Sequence, residues 1–351
     1  MTTGNGSYVT LGGGTRGSGT RGSGTRAGTA AASSVTGLTW EAARALEDVG
    51  LDALDVLRAV RAALDEDFRY GPDVTSAATV AGRTLTADVV AREPGVVAGL
   101  PVALAVLDLL GEYVAVPTGP VPGGPVSLSG PAAVAGVALV EDGARIEPGD
   151  AVLRVTGDAV AVLGAERTML NFLTHLSGIA TATRAWADAV AGTGAVIRDT
   201  RKTLPGLRAL EKYAVRCGGG ENHRMGLGDA ALVKDNHVAA AGGVAAAVRA
   251  VRAAARPGLA IEVECDSVAQ VREALTAGAG FILLDNMPVA ELLAAVAVAR
   301  GYEGVRLEAS GGLRLGHARE VAETGVDYLS VGALTHSSRA LDLGLDYGGA
   351  G

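Results

Sequence analysis

RDTRKTLPGLRALEKYAVRCGGGENHRMGLGDAALVKDNH, residues Arg198 to His237, is the stretch whose reading decides the fold. Two β-like runs frame it, AVIRDT at 195–200 and ALVKDN at 231–236, and each ends in polar and charged residues. Between them lie a helix-like run over 206–216 and the glycine triplet 218–220. A strand, a helix and a second strand in that order read as one crossover unit of a parallel sheet. The stretch also gathers Arg201, Lys202, Arg208, Lys212, His223, Arg224 and Lys234, whereas the whole chain carries a formal charge of −8. A local excess of cations just past the tips of buried strands is the usual layout of an α/β site, here one that grips a small polyanion.

The same unit recurs outward from this stretch. Strands are expected at 195–199, 231–235, 260–265, 281–285, 305–309 and 328–332, separated by helix-like runs at 206–216, 242–255, 267–278, 288–300 and 315–324. Six such strands can form an open doubly wound sheet or a barrel. No Gly-x-Gly-x-x-Gly follows an early strand, which disfavours a dinucleotide fold. The expectation is a barrel with fewer strands than the usual eight.

Upstream, two capped amphipathic helices begin at Thr39 and continue through DALDVLRAVRAALDED, and FRYGPDVTS reads as a turn. Short strands joined by Pro-Gly and Asp-Gly turns follow, with one helix, PVALAVLDLLG, among them. The stretch Thr118 to Pro131 reads as a long loop. Two helices, AERTMLNFLTHL and SGIATATRAWADAVAG, lead into the first barrel strand. The fold class is therefore α/β: an N-terminal α+β domain over 39–163, then an incomplete, six-stranded α/β barrel over 164–339. The terminal run RALDLGLDY, residues 339–347, is expected to return to the first domain, which 340–351 would join. Residues 1–38, with their TRGSG repeats, have almost nothing apolar to bury and read as a disordered tail.

Composition excludes several classes. The length fits two domains of about 150 residues each. Two cysteines, Cys217 and Cys265, do not make a disulfide framework and fit a reducing, cytoplasmic setting. No uncharged apolar run is long enough to span a bilayer, and the N-terminus lacks the apolar core of a signal peptide. The acidic balance argues against nucleic acid as a partner.

If the six strands line one barrel, their C-terminal tips share one mouth. Asp199, Arg201 and Lys202 follow the first strand, and Lys234, Asp235 and Asn236 the second. Glu264 and Asp266 follow the third, Asp285 and Asn286 the fourth, Ser310-Gly311-Gly312 the fifth, and Val331-Gly332-Ala333 the last. Arg201 and Arg224 can hold carboxylates bidentately, and Lys202 and Lys234 act as point charges. Any one of these arginines can equally be a solvated partner of a surface carboxylate. Their grouping on successive strand ends favours ligand binding. Glu264 and Asp285 offer hard oxygen ligands for Mg²⁺, or neutralise Lys234 and Lys202. The two glycine loops can present backbone N–H groups to a phosphate. His223, in a Gly-bounded loop, reads as a ligand contact, and His175 as a core histidine. No His or Cys spacing suits zinc.

Several segments together resemble quinolinate phosphoribosyltransferases: ERTMLNFLTHLSGIAT, the Arg198–His237 stretch, EVECDS, LLDNM, ASGG and DYLSVGALTHS. The resemblance covers nearly everything from Asp65 to Tyr347. It implies a sandwich-like N-terminal domain, an incomplete barrel, and a homodimer with a site shared between subunits, assembly above the dimer being left open. It also implies that Arg167, Arg201, His223, Arg224 and Lys234 bind the acceptor's carboxylates, Arg167 from the partner subunit. Lys202 would lie near the phosphoribosyl donor, Glu264 and Asp285 on the ribose and Mg²⁺ side, and Ser310, Gly311, Gly312, Val331, Gly332 and Ala333 around the 5′-phosphate. Lys202, Lys234, Glu264 and Asp285 are the implied catalytic set. The implied reaction converts quinolinate and phosphoribosyl pyrophosphate into nicotinate mononucleotide, pyrophosphate and CO₂, a step of NAD biosynthesis. Two other readings stay open on the residues. One is an aldolase-type barrel forming a Schiff base on Lys234. The other is a non-catalytic, molybdenum-transport-associated relative with a different ligand.

Overall fold

The computed structural model describes residues 37–117, 128–131 and 134–347. The expected tail, apart from Gly37 and Leu38, and most of the 118–131 stretch fall outside them. Leu38, assigned to the tail from sequence, is instead 1% exposed and belongs to the core.

The first half of the chain contains α1 (Trp40–Asp48), α2 (Ala53–Asp67), α3 (Val74–Thr79), β1 (Thr84–Ala91), β2 (Gly95–Val96), α4 (Leu100–Leu110), β3 (Ala115–Pro117), β4 (Leu128–Pro131), β5 (Val134–Ala138), β6 (Arg145–Ile146) and β7 (Ala151–Asp158). The second half contains α5 (Ala159–Ala189), β8 (Val196–Arg198), α6 (Arg208–Cys217), β9 (Ala231–Val233), α7 (Asp235–Ala241), α8 (Val244–Ala254), β10 (Ile261–Cys265), α9 (Val268–Thr276), β11 (Phe281–Asp285), α10 (Val289–Ala299), β12 (Arg306–Ser310), α11 (Ala318–Ala322), β13 (Tyr328–Ser330), α12 (Ala333–His336) and β14 (Leu343–Tyr347).

The helix starts obey capping chemistry. Thr39, Asp52 and Asp73 each accept a backbone N–H of the first turn through the side chain. Asp73 thereby starts α3, where the sequence reading has only a turn. The end of the expected 118–131 loop is likewise a strand, β4, paired with β3.

An antiparallel sheet ordered β14-β1-β7-β5 forms the N-terminal layer. The C-terminal run β14 enters it antiparallel to β1. Helix α4 packs against β5 and α5. It is apolar nearly all round, as a helix enclosed on both sides must be. Its first N–H groups, those of Gly99 and Leu100, bond to the Asp142 carboxylate.

One helix, α5, replaces the two expected over 165–192. Ser177-Gly178 looks like a boundary in sequence, but the helix passes straight through it. Gly178 is there because the backbone carbonyl of Arg339 lies where a Cβ would be. The glycine marks a close approach between chain segments and not a helix end.

Past α5 the six expected strands form one all-parallel sheet ordered β8-β13-β12-β11-β10-β9. The ladder is continuous from β8 round to β9 and does not close between those two. On the free side of β8, Glu221 adds one bridge: its N–H bonds Ile197 O at 2.8 Å, and its carbonyl accepts from Asp199 N at 3.2 Å. The architecture is an incomplete barrel with its first and second strands parted, and the segment carrying the glycine triplet lies at the parting.

Candidate active site

The barrel's C-terminal end opens into a cavity of about 570 Å³. Its walls carry Thr200, Arg201 and Lys202 after β8, Lys234 after β9, Glu264 of β10, Asp285 and Asn286 at the end of β11, and Ser310, Gly311 and Gly312 after β12. His223 and Arg224 enter from the loop at the parting, and Leu232, Leu283, Glu308 and Ser330 form the remaining lining. The structure thus brings together ten residues singled out from sequence: Arg201, Lys202, His223, Arg224, Lys234, Glu264, Asp285, Ser310, Gly311 and Gly312. Val331, Gly332, Ala333 and Arg167 are not in the lining.

Each exception has a physical reason. Val331 is buried, and its N–H is engaged by Arg198 O at 2.9 Å, so it has no donor to offer a phosphate. Gly332 sits directly behind the site: a Cβ there would lie 2.9 Å from Lys202 Cδ, so its bareness makes room for the Lys202 stem. Ala333 opens α12 behind it. Arg167 is exposed on α5, outside the cavity.

The cation-rich stretch sorts into two populations. Arg201, Lys202, Arg224 and Lys234 face the cavity. Arg201 Nε is buried and has no partner among the described residues, which leaves it available to a ligand. Lys234 Nζ meets Glu264 Oε2 at 3.5 Å. Burial pushes the Glu264 carboxyl above the usual carboxylate range, Lys234 pulls it back, and the Asp285 charge raises it again.

The other cations build the floor. Arg198 lies over the rings of Tyr328 and Phe281, at 4.5 and 5.2 Å, and pairs with buried Glu308 at 2.6 Å. Lys212, fully buried, bonds Asp199 at 2.5 Å and donates to the carbonyls of His223 and Arg224. Asp199 accepts from His223 N and from Asn222 Nδ2. Asp199 does not reach the mouth, contrary to the sequence reading, and Lys212 is sealed beside it. Together they clamp the turn that presents Arg224. Arg208 ties the backbone of Met225 to Thr203, and Arg216 ties Asn222 to Val49 O.

His223 is also redefined. Its Nδ1 accepts the Arg224 N–H at 2.7 Å, which places the ring proton on Nε2, and Nε2 donates to Glu262 at 2.7 Å. Both ring nitrogens are engaged within the protein. Burial lowers the imidazole to about 4, so the ring is neutral, and burial raises Glu262 to about 7. His223, Glu262 and Glu308 converge closely enough to hold a metal ion, but the Arg198 guanidinium already neutralises Glu308 there. His175 pairs with buried Glu211 at 2.9 Å, and Glu211 also accepts Leu204 N, tying the loop after β8 to α5 and α6.

Glu308, Ser330 and Asn286 line the cavity without having been singled out as ligands. The signal for Glu308 was present: an acidic residue inside the apolar run VRLEAS is expensive to bury and requires a partner. Three further clefts lie elsewhere, one at the opposite end of the barrel beside Arg252 and Phe281, one along α1 and α2, and one between α2 and α5 beside Asp67 and His175. None of them gathers cations, carboxylates and glycine loops together.

A barrel mouth that pairs a cationic wall with carboxylates and glycine loops defines an α/β-barrel enzyme for small anionic substrates. The family models for the N- and C-terminal domains of quinolinate phosphoribosyl transferase match residues 73–177 and 179–346. The chain is 55% identical over 290 residues to the nicotinate-nucleotide pyrophosphorylase [carboxylating] of Mycobacterium leprae, covering 82% of this chain and 95% of that protein. It is 38% identical to the probable enzyme of the same name from Bacillus subtilis, covering 80% of this chain and 89% of that one. The solved structure of the nicotinate-nucleotide pyrophosphorylase from Francisella tularensis is 34% identical, covers 85% of this chain and 97% of its own, and superposes with a TM-score of 0.75. The chain belongs to the quinolinate phosphoribosyl transferase family.

Proposed function

We propose that the chain transfers the phosphoribosyl group of phosphoribosyl pyrophosphate to quinolinate with decarboxylation, giving nicotinate mononucleotide, pyrophosphate and CO₂ in NAD biosynthesis. The observation that carries this reading is one cavity holding Arg201, Arg224, Lys202 and Lys234 beside Glu264, Asp285 and the Ser310–Gly312 loop. Polar residues for a diacid and for a sugar phosphate meet there.

Arg201 and Arg224 grip the acceptor's carboxylates, Arg201 through its unpartnered Nε among other donors. Held this way, the pyridine nitrogen faces the ribose carbon as pyrophosphate departs, and positioning supplies much of the rate. Lys202 and Lys234 stabilise charge on the leaving group, and the Glu264 and Asp285 carboxylates stabilise the cationic sugar. Backbone N–H groups of Gly311 and Gly312 cradle the 5′-phosphate. Loss of the 2-carboxylate follows, because the quaternised ring nitrogen stabilises the carbanion left beside it.

Glu264 and Asp285 suit Mg²⁺: two hard oxygen donors stand at the tips of adjacent strands, close enough for the Asp285 charge to disfavour ionisation of Glu264. When bound, the ion supplies charge neutralisation on the pyrophosphate. The homodimer is proposed on the position of Arg167, exposed on α5 and outside its own cavity, where it is available to a second copy. A cytoplasmic location is proposed on the absence of paired cysteines, since Cys217 and Cys265 are both free. A Schiff-base lysine sheds its proton in apolar or cationic surroundings, whereas Lys234 is half exposed and faces Glu264.

The test is production of nicotinate mononucleotide from quinolinate, Mg²⁺ and the donor, with nicotinate as the control acceptor. Turnover with nicotinate and none with quinolinate overturns the reading. For the shared site, Arg167→Ala and Lys234→Ala, each inactive alone, should regain partial activity when mixed. Exchange of subunits without recovery removes Arg167 from the site.

A further inference from the structure

We infer that Asn286 is a positioning residue for the donor half of the site, locking the Asp285 carboxylate to the Gly311–Gly312 loop. The inference rests on the function proposed above and adds a residue to it. Among the described residues, Asn286 is the sole non-glycine with a positive φ, 55°. Asparagine tolerates that left-handed conformation better than most residues, and a strained position at a cavity wall is a candidate for function.

Three contacts say what the conformation achieves. The backbone N–H of Asn286 bonds Ser310 O at 2.8 Å, fastening the end of β11 to the end of β12. Its side-chain Nδ2 donates to Asp285 Oδ2 at 2.7 Å, which fixes the direction of that carboxylate. Its amide group fills the place a Gly311 side chain would take: a Cβ on Gly311 would lie 2.5 Å from Asn286 Cγ. Gly311, at φ 90°, therefore has two reasons to be glycine, its conformation and the amide lying against it. Asn286 itself lines the cavity. The residue couples the carboxylate that faces the sugar and pyrophosphate to the loop that faces the 5′-phosphate. The acceptor's cations, Arg201 and Arg224, belong to other segments, so loss of the amide should register on the donor alone.

Asn286→Gly keeps the left-handed backbone and deletes the amide. Losing a hydrogen bond to a charged group should raise the donor KM and its dissociation constant, measured calorimetrically without acceptor, about 10-fold or more. The quinolinate KM should stay within about twofold and the melting temperature unchanged, whereas a purely structural role would move all of these together. Gly311→Ala, whose methyl displaces the amide, should give the same donor-selective defect. It should cost less in the Asn286→Gly background than in wild type, because the displaced group is already gone. Unchanged donor affinity in Asn286→Gly, or an equal rise in both KM values, overturns the inference while leaving the function intact. A wild-type protein that makes no nicotinate mononucleotide overturns both.

Discussion

The mouth of the barrel and the layer just beneath it contain the same residue types in opposite states. At the mouth, Lys202 and Lys234 are open to solvent, and Arg201 makes no ion pair among the described residues. One layer down, Lys212, Asp199, Arg198, Glu308, His223 and Glu262 are all buried, and each is held by at least one charged or hydrogen-bonding group. The difference teaches how this fold makes a site. Charges that must stay available for a ligand are mounted on charges that are not available at all. The lower layer is costly to desolvate, and its function is to fix the turn carrying Arg224 and the strand ends carrying the mouth residues.

That division can be broken from either side. The largest effect is expected in the lower layer: Lys212→Ala leaves the buried Asp199 carboxylate without its counter-charge and two carbonyls without their donor, and should cost about 3–5 kcal/mol of stability. Chemical denaturation checks this, and a loss under about 1 kcal/mol would mean that Lys212 is not the clamp. Arg201→Ala, in the mouth, should lower kcat/KM by at least about 100-fold, because the ligand loses a charge-assisted grip. Its melting temperature should match wild type, and a fall of both together would return Arg201 to the scaffold.

The His223–Glu262 pair sharpens the comparison through pH. Glu262 is raised from 4.5 to about 7, so its stabilising contribution is complete below pH 4.5 and is lost as pH rises towards 7. His223 is lowered from 6.5 to about 4, so its contribution is complete above pH 6.5 and is lost as pH falls towards 4. The two slopes oppose each other over about pH 4.5–6.5, each amounting to roughly 3 kcal/mol across its window. Stability of His223→Gln should therefore rise as pH is lowered through that window, and that of Glu262→Gln should fall. Slopes of the same sign in both variants would refute the assignment. The smallest effect belongs to the surface: Arg92→Ala removes the exposed pair with Asp346 that links β1's end to β14, and should leave the denaturation midpoint nearly unchanged.

Much of this architecture was legible in the letters. Six apolar runs with charged tips, spaced by helical periods, gave the barrel, because burial on both faces leaves a strand few alternatives. The mouth residues followed from their places after those runs. What stayed hidden depended on distance in space. Lys212 and Arg201 carry the same charge and lie eleven positions apart, yet one is sealed and the other faces the cavity, and only the packing of α6 against α5 decides which. Gly178 looked like a helix end because its reason, the Arg339 carbonyl, is 161 residues away. Asn286 was placed at the mouth, but its positioning role was hidden because a left-handed φ is a property of the turn and not of the residue type.

The parting between β8 and β9 has a consequence for how such a protein can diverge. The wall formed by β10, β11, β12 and β13 is an unbroken ladder, so an insertion there disturbs its neighbours on both sides. The segment bearing His223 and Arg224 is anchored to β8 through the Glu221 bridge and is free of any ladder with β9. It is held instead by side chains, Lys212 and Asp199 beneath its turn and Glu262 at His223, so substitutions that spare those contacts leave the strand ladder intact. Variation in acceptor choice should accumulate at that seam, while the half that receives the sugar phosphate is held fixed by its own hydrogen bonds.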